Sequence, residues 1–582
     1  MQRPRHDPQT IDTRALLIGT LFTIAGGLFL FRLFVLQVLE HNALAVKAKA
    51  QRSSIAHIIP TRGTIYVMDR GSAESRAAVG TNRDAHLLYV VPKEIESPKR
   101  VARTLAPILE RSEFDLLKKI DKPNDPYEVL QRDVPDTQKE KIEQYAFKGI
   151  HFVQEPMRSY PEKNIMSHVL GFYGYVNDVR KGVYGIEGYF DALLSGRGGR
   201  KEVEYDVAGR PILFVNEKEE AVVHGSDLLL TIDRSVERVV CEKVKAAVER
   251  HQAERGSALV LNPKTGAVLA MCAVPDFDPN IYNKAEDASV YPNPTIFSPY
   301  EPGSIFKPIT MAAGIDLGLV KPEDTYTDEG FVRIGKFTIR NSDGKRHGVQ
   351  TMIQVLDESL NTGAMYVAEK VGKEMFKKYV LDFGFGKVRG IELKTEVAGD
   401  MSIVSKRGDI YLATSSYGQG ITTTLLQLAS AYGVIANGGV LMQPYIVDRT
   451  IAPDGTETVT RPRAERAVLQ PATATLLSGM LVSVVENGHG KRAKVPGYFV
   501  AGKTGTAQIP KKDGPGYEEG ATIGSFAGFL PVSDPQFVIV VRIDRPKDVQ
   551  WAESSAAPLF GEIAQFLVQY YSVVPDDLRK DN

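Results

Sequence analysis

The chain has 582 residues, of which 43% are hydrophobic and 24% are charged, a composition typical of globular proteins. This length predicts about three to four domains. Lysine plus arginine (71) equal aspartate plus glutamate (71), so no net positive field favours a nucleic-acid partner. The only two cysteines, Cys241 and Cys272, exclude a disulfide framework and fit no metal spacing. One bridge between them stays open, although two buried thiols are the favoured interpretation.

The N-terminus predicts a membrane anchor. Residues 1–14 are polar and basic, and residues 15–39 are almost wholly apolar. At about 1.5 Å per residue this run gives roughly 37 Å of helix, enough to cross a bilayer. The alternative, a cleaved signal peptide, is disfavoured because the apolar core is long and the small-residue patterns lie too far beyond it. The basic tail predicts a cytoplasmic N-terminus with the rest of the chain outside the cytoplasm.

Residues 40–220 are interpreted as a non-catalytic module of mixed helices and strands. A helix is expected to continue out of the membrane over 40–56, a strand is predicted at 87–91, and the pattern of 96–147 is helical with a Pro-rich interruption. Short strands and glycine-rich turns are expected from there to residue 215. The module contains no cluster of nucleophile and base.

A second domain is predicted at residues 221–575, followed by a polar and loose tail at 576–582. Two apolar runs, 256–262 and 267–274, enclose a turn with glycine and predict a β-hairpin. The other predicted elements are helices at 305–317, 352–359, 363–371, 423–435 and 471–485, strands at 498–506, 525–530 and 537–543, and a last helix with apolar residues at a 3.6-residue period.

The candidate catalytic stretch surrounds Ser304. Pro302 and Gly303 are turn residues, and the apolar run behind them predicts a buried helix beginning at Ser304. Ser304 and Lys307 lie three residues apart on one helical face, which aims an amine at a hydroxyl and is one way to activate a serine. Alone, a Ser-x-x-Lys pattern is more often an N-cap serine followed by a surface lysine. The interpretation therefore needs partner motifs.

Two later motifs supply these partners. Ser359 and Asn361 stand between two predicted helices, and they can face one cleft only from a non-helical connection. Residues 503–505, Lys-Thr-Gly, lie at the end of a predicted strand. Ser-x-x-Lys, Ser-x-Asn and Lys-Thr-Gly in this order are the signature of penicillin-recognising serine enzymes. A second Lys-Thr-Gly at Lys264 precedes the serine and is interpreted as a hairpin turn.

With these motifs, the chain resembles the class B penicillin-binding proteins over nearly its whole length. The other stretches that carry the resemblance are residues 62–70, 158–161, 185–187, 227–233 and 417–420. The resemblance implies an α+β protein with a single N-terminal transmembrane helix and an extended α+β pedestal or dimerisation module at 40–220. It implies that residues 221–575 form a transpeptidase domain like the serine β-lactamases, with an antiparallel sheet flanked by helices.

The resemblance also assigns roles to the motif residues. It implies that Ser304 attacks the carbonyl between two D-alanines and that Lys307 takes its proton, which requires a neutral amine. Burial and the nearby cation of Lys503 are both expected to lower the pKa of Lys307. The implied catalytic residues are Ser304, Lys307, Ser359, Asn361 and Lys503, and the implied substrate-binding residues are Thr504, Gly505 and Thr506.

The implied activity is that of a peptidoglycan D,D-transpeptidase that cross-links stem peptides and is acylated by β-lactams. Glu301, Pro302 and Gly303 lean towards the division type rather than the elongation type. The implied partner is a polytopic membrane glycan polymerase, contacted through the anchor and the 40–220 module, in a bacterial plasma membrane. No metal or cofactor motif appears.

Two alternatives remain open at this stage. A membrane-bound D,D-carboxypeptidase or a β-lactamase-like hydrolase would replace the acceptor amine by water, but neither needs the large upstream module. A non-enzymatic penicillin-binding sensor or scaffold would need an output domain, for which 14 cytoplasmic residues are too few.

Overall fold

The computed structural model describes residues 13–69, 72–177, 179–204, 219–511 and 513–579. Contacts divide them into two units. The smaller unit takes the described residues up to Pro60 with those between Arg197 and His224, and the larger takes Thr61–Gly196 with the described residues from Gly225 onwards. The expected cytoplasmic tail lies outside the described residues except at its last two positions, which begin the first helix.

The helices range from a long N-terminal segment to single turns. In chain order they are α1 (Thr13–Phe34), α2 (His41–Arg52), α3 (Pro98–Leu109), α4 (Glu113–Ile120), α5 (Asp136–Glu143), α6 (Ser167–Leu170), α7 (Gly185–Tyr189), α8 (Asp191–Ser195), α9 (Arg234–Arg250), α10 (Pro294–Phe297), α11 (Lys307–Asp316), α12 (Met352–Asp357), α13 (Asn361–Val371), α14 (Lys373–Asp382), α15 (Asp409–Ser416), α16 (Leu425–Ala436), α17 (Pro471–Glu486), α18 (Ala556–Tyr570) and α19 (Asp576–Arg579).

The strands form two larger sheets and several small ones. In chain order they are β1 (Ser53–Ile58), β2 (Ile65–Asp69), β3 (Ser72–Val90), β4 (Glu128–Val134), β5 (Ile150–Ser159), β6 (Phe172–Val176), β7 (Val179–Val183), β8 (Gly199–Glu204), β9 (Glu219–Glu220), β10 (Asp227–Asp233), β11 (Arg255–Leu261), β12 (Val268–Val274), β13 (Thr325–Asp328), β14 (Phe331–Ile334), β15 (Phe337–Arg340), β16 (Gly348–Thr351), β17 (Val440–Met442), β18 (Val447–Ile451), β19 (Glu457–Val459), β20 (Ala464–Ala467), β21 (Ala501–Pro510), β22 (Tyr517–Leu530) and β23 (Phe537–Asp544).

The smaller unit begins with the predicted anchor. A helix over Thr13–Leu39, which is α1 and a π-helical turn, is long and apolar enough to cross a membrane. The prediction that a helix runs through 40–56 is wrong beyond α2, because β1 follows and pairs antiparallel with β8. The partner strand lies about 140 residues further along the chain, so no local pattern could reveal it.

The first sheet of the larger unit has the strand order β19-β18-β10-β2-β3-β4, and β5 also pairs with β3. The prediction of helix throughout 96–147 is wrong at β4. Leu130 and Val134 lie on one face of β4 and are buried in the core formed with α3 and α4, while the strand backbone pairs with β3. The predicted strand at 87–91 is the end of β3, which is much longer.

The second sheet has the order β12-β11-β23-β22-β21, with every neighbouring pair antiparallel. The predicted hairpin of 256–274 and the antiparallel sheet flanked by helices are therefore confirmed. Successive residues of β23 face opposite cores: Val540 packs in the core that includes α11 and α16, and Val541 in the core that includes α9 and α18. This alternation is the two-residue period of a strand covered on both faces.

Cys241 and Cys272 form a disulfide, with their Cα atoms 5.4 Å apart. The expectation of two free thiols is wrong, because α9 packs on β12 and brings these positions together, which their spacing of 31 residues does not reveal. Glu237 lies beside them, but sulfurs bonded to each other do not offer the thiolates that a metal would need.

The prediction of a loose C-terminal tail is wrong for residues 576–579, which are the part of the tail that the structure describes. Asp576 is buried, and its carboxylate accepts hydrogen bonds from the backbone N–H of Phe499 at 2.7 Å and of Ser533 at 3.2 Å. Its own N–H donates to the carbonyl of Gly497. The C-terminal turn is thus attached to the segments just before β21 and just after β22, and residues 580–582 lie outside the described residues.

A buried ion network ties the segments next to β2 together. The Glu187 carboxylate accepts hydrogen bonds from Arg62 Nε at 2.8 Å, Arg158 Nε at 2.6 Å and the Tyr160 hydroxyl at 3.1 Å, and Arg62 also reaches Asp191. Burial alone would raise the pKa of Glu187, but the two guanidinium groups outweigh it and hold that pKa below its usual range. Glu187 is therefore a buried anion compensated by two cations.

Replacing Glu187 by glutamine is expected to lower the free energy of unfolding by about 3–5 kcal/mol, because the buried guanidinium groups of Arg62 and Arg158 would lose the anion that they share, although Arg62 keeps its pair with Asp191. Thermal and denaturant unfolding of the detergent-solubilised chain would measure the loss. The control is Glu155→Gln, which removes partly exposed pairs with Arg132 and Arg180 and should cost about 0–1 kcal/mol. Equal losses for the two variants would contradict this account.

Candidate active site

Ser304 lies in a single 3₁₀ turn, Gly303–Phe306, that leads directly into α11, as the predicted helix start requires. Ile305 and Phe306 are fully buried and anchor the turn, whereas Ser304 is half-exposed. Gly303 adopts φ +58°, a left-handed conformation that favours glycine, and its N–H donates to the carbonyl of Gly418 at 3.1 Å. The turn therefore presents the serine hydroxyl at the surface of a rigid support.

Lys307, the first residue of α11, is only 1% exposed. Its amine donates to the carbonyl oxygen of Ser359 and to Ser359 Oγ at 3.2 Å. Burial, and then the nearby charge of Lys503, lower the pKa of Lys307 well below the usual 10.5. The predicted lowering and both of its causes are confirmed, and such an amine can be neutral at a working pH where a surface lysine is charged.

Ser359 stands in the predicted non-helical connection, between α12 and α13. It has φ +55°, Leu360 is extended, and Asn361 is the first residue of α13. The Asn361 side-chain amide donates to the backbone carbonyl of Arg340 at 2.9 Å. An amide has a second N–H and a carbonyl oxygen, so this contact leaves Asn361 with polar atoms for a ligand.

The Lys-Thr-Gly motif lies on β21, the edge strand of the second sheet. Lys503 is fully buried, and its amine donates weakly to the Thr504 carbonyl and hydroxyl at 3.3 and 3.4 Å. A Cβ at Gly505 would lie 2.8 Å from the carbonyl oxygen of Pro302, so glycine is what lets the strand approach the serine turn. Thr506 Oγ1 accepts from the N–H of Ala552, which leaves the hydroxyl proton free to donate.

The structure thus brings Ser304, Lys307, Ser359 and the 503–506 strand segment together. The other Lys-Thr-Gly, at Lys264, forms the turn between β11 and β12 as predicted, and Lys264 pairs with Asp534. Lys264 therefore belongs to this turn and is not one of the motif residues around Ser304.

Sequence reasoning missed Asp357, a buried carboxylate two residues before Ser359. Its Oδ2 accepts from Ser483 Oγ at 2.9 Å, and its buried Oδ1 has no hydrogen-bond partner among the described residues. Burial lowers the pKa of Lys503 to about 7, and the charge of Asp357 opposes this lowering. The only sequence signal for Asp357 was its position just before the Ser-x-Asn motif. The mixed polar and apolar sequence of α12 does not reveal which of its polar side chains are buried.

Glu301 was noted in the sequence only as a family feature, and the structure gives it contacts. Its Oε1 accepts from the N–H of Gly420 and its Oε2 from the Tyr517 hydroxyl, both at 3.0 Å. It therefore connects the serine turn to the loop at 417–420 and to the start of β22. Burial raises the pKa of Glu301 above its usual range.

Comparisons with known proteins agree with this geometry. The family model of the penicillin binding protein transpeptidase domain matches residues 256–565, and that of the penicillin-binding protein dimerisation domain matches residues 57–230. The chain is 33% identical to stage V sporulation protein D of Bacillus subtilis, over 95% of this chain and 86% of the relative.

Two further relatives extend the comparison. The chain is 28% identical to a peptidoglycan D,D-transpeptidase FtsI homolog of Mesostigma viride, over 97% of this chain and 96% of the relative. A crystal structure of penicillin binding protein 3 from Mycobacterium tuberculosis, complexed with aztreonam, matches with a TM-score of 0.68 and 28% identity over 89% of this chain and 98% of that one. The chain therefore belongs to the class B penicillin-binding proteins and is a peptidoglycan D,D-transpeptidase.

Proposed function

We propose that Ser304 is the nucleophile of this transpeptidase and that Lys307 is the base that activates it. The observation that carries the proposal is the buried Lys307 amine with its lowered pKa, one turn of chain from Ser304 and hydrogen-bonded to Ser359. A serine hydroxyl is a poor nucleophile until a base takes its proton. The Lys307 amine can take that proton only in its neutral form.

In the acylation step, Ser304 Oγ bonds to the carbonyl carbon between two D-alanines while Lys307 takes the hydroxyl proton. The tetrahedral intermediate is stabilised by the backbone N–H groups of Ser304 and Thr506. As the C–N bond breaks, Ser359 relays the proton from Lys307 to the leaving D-alanine nitrogen, a path that the bond between Lys307 and Ser359 Oγ supports. The amine of a second stem peptide then attacks the ester carbonyl. Lys307 takes the proton of that amine and returns it to Ser304 Oγ as the C–O bond of the ester breaks, which leaves the amide cross-link and the free enzyme.

The substrate is held by its terminal carboxylate and by an amide. The Lys503 charge attracts the carboxylate, the Thr504 and Thr506 hydroxyls donate to it, and Gly505 lets the strand come close enough. Asn361 holds the substrate amide. β-Lactams present the same carbonyl and carboxylate, and they acylate Ser304 in place of the stem peptide.

We propose that the protein lies in the bacterial plasma membrane with its N-terminus in the cytoplasm. The apolar helix Thr13–Leu39 and the basic residues before it support this orientation. The Cys241–Cys272 disulfide supports an oxidising compartment for the catalytic domain. The partner is a polytopic membrane glycan polymerase, contacted through the anchor and the 40–220 module, which precedes the proposed catalytic domain at 221–575.

We propose a role in division rather than elongation, towards which Glu301, Pro302 and Gly303 lean by their resemblance to the division type. Depletion in the native bacterium is expected to give filaments that elongate without septa, because wall growth along the cell would continue. Microscopy of depleted cells checks this, with re-expression of the wild type as the control. Rounded or widened cells would instead place the enzyme in elongation.

Fluorescent penicillin is expected to label the detergent-solubilised wild type stably and Ser304→Ala not at all. Lys307→Ala should acylate about 10²–10⁴ times more slowly, because the base is lost. A matched pair tests the two Lys-Thr-Gly sequences: Lys503→Ala should impair labelling, whereas Lys264→Ala should behave as the wild type. Label lost within minutes would instead indicate a hydrolase, and label on Ser304→Ala would refute the nucleophile.

The rate of acylation is expected to rise with pH as Lys307 loses its proton, and to fall again as Lys503 loses its charge near pH 7. Asp357 favours the charged form of Lys503. In Asp357→Asn the fall in acylation rate at high pH, here called the falling limb, should therefore move to lower pH. Acylation rates measured between about pH 5 and 9 test this. Glu358→Gln, a change at an exposed neighbour, should leave the falling limb in place, and an unmoved limb in Asp357→Asn would contradict the assignment.

A further inference from the structure

The segment from Asp328 to His347 carries the hairpin β14–β15 and lies against the start of α13. The inner face of the hairpin, including Ile339, packs on Ala364 and Met365 of that helix and on Tyr417 of the 417–420 loop. A stretch outside all three sequence motifs is therefore attached to the helix that begins with Asn361.

Asn341 supplies the N-terminal cap that α13 lacks. The residue before the helix is Leu360, whose side chain cannot accept a hydrogen bond. The Asn341 Oδ1 atom instead accepts from the N–H of Asn361 at 3.0 Å and of Thr362 at 3.3 Å. The first N–H groups of a helix have no partner within it, so a side-chain acceptor there fixes where the helix begins.

Asp328 fixes the orientation of that cap. Both of its carboxylate oxygens accept from Asn341 Nδ2, at 3.1 and 3.0 Å, so the amide must turn its oxygen towards the helix. Asp328 is fully buried and also accepts from Thr362 Oγ1 at 2.7 Å and from the N–H groups of Gly330 and His347. A buried carboxylate with this many donors is held firmly in place.

The residue next to Asn341 completes the arrangement. The Arg340 carbonyl accepts from the Asn361 side-chain amide at 2.9 Å, while Asn341 accepts from the Asn361 backbone N–H at 3.0 Å. Arg340 and Asn341 thus hold the side chain and the backbone of Asn361, respectively. Because the two residues are consecutive, a movement of the Asn341 amide that Asp328 orients would displace both contacts.

We propose that Asp328 and Asn341 are a positioning pair that sets the orientation of Asn361 in the active site. This inference rests on the proposed function, in which Asn361 holds the substrate amide. Neither residue touches the reacting atoms, so their effect is transmitted through Asn361. A misplacement of about 1 Å at such a contact can cost about 10²-fold in rate, even when its cause lies away from the chemistry.

The test is a swap of the two side chains. Asn341→Asp would set two carboxylates against each other, and Asp328→Asn would remove the anion that orients the amide. Each is expected to lower the first-order rate of acylation by fluorescent penicillin about 10–100-fold. The double variant Asp328→Asn with Asn341→Asp again faces an amide donor with a carboxylate acceptor. It should acylate faster than either single variant but slower than the wild type, because the new amide nitrogen at 328 also meets the N–H of Gly330 or His347.

Binding and acylation are measured separately on the full chain in detergent, with rates normalised to the fraction that finally labels and with thermal unfolding in parallel. The matched control is Asp343→Asn, which removes the pair with His347 in the same loop and should acylate at the wild-type rate. Should Asn341→Asp not fold, Asn341→Ser removes the cap without adding charge and is expected to show the same slow acylation.

Three outcomes overturn the positioning pair. In the first, the single variants acylate at the wild-type rate. In the second, the double variant acylates no faster than the single variants, and in the third, labelling is lost only in proportion to the unfolded protein, which would assign the pair a structural role alone. Failure of the proposed function gives a different result, namely a wild type that does not label or a Ser304→Ala variant that does.

Discussion

The close approach of an edge strand to the turn that carries the nucleophile is the constraint on which the active site depends. A Cβ at Gly505 would meet the carbonyl of Pro302 at 2.8 Å, and one at Gly418 would meet the carbonyl of Gly303 at 2.2 Å. Backbone atoms cannot move aside as side chains can, so a larger residue at either position would push the strand or the loop away from Ser304. The glycines therefore allow the strand and the loop to pack against the turn that carries Ser304.

The electrostatics of the site follow from this packing. Because the strand lies against the turn, the amines of Lys307 and Lys503 are both buried, and their ammonium forms are disfavoured by lost solvation. Lys307 also feels the charge of Lys503, while Lys503 has a compensating carboxylate in Asp357. The two lysines thus have different surroundings, which suits one to act as a base and the other as a cation.

Two buried carboxylates bind polar groups from other segments of the chain and hold those segments together. Glu187 gathers Arg62 and Arg158 beside β2, and Asp328 orients Asn341 at the start of α13. In each case a buried carboxylate has its hydrogen-bonding capacity met by groups from other segments, as burial of a charge requires. Of the two, the Asp328 contacts reach the active site, through the bond of Asn341 to Asn361.

The sequence by itself determined the anchor, the β-hairpin of 256–274, the three motifs and the non-helical link at Ser359, because apolar periodicity, glycine turns and motif order are local patterns. Only the tertiary structure decided that β1 and β4 are strands and that Cys241 and Cys272 are bonded. It alone showed that Asp357 is buried close enough for its charge to act on Lys503, and that Asn341 caps the helix that begins with Asn361. Strand pairing, disulfide formation and burial depend on which distant segments meet, and a local pattern carries no information about those meetings.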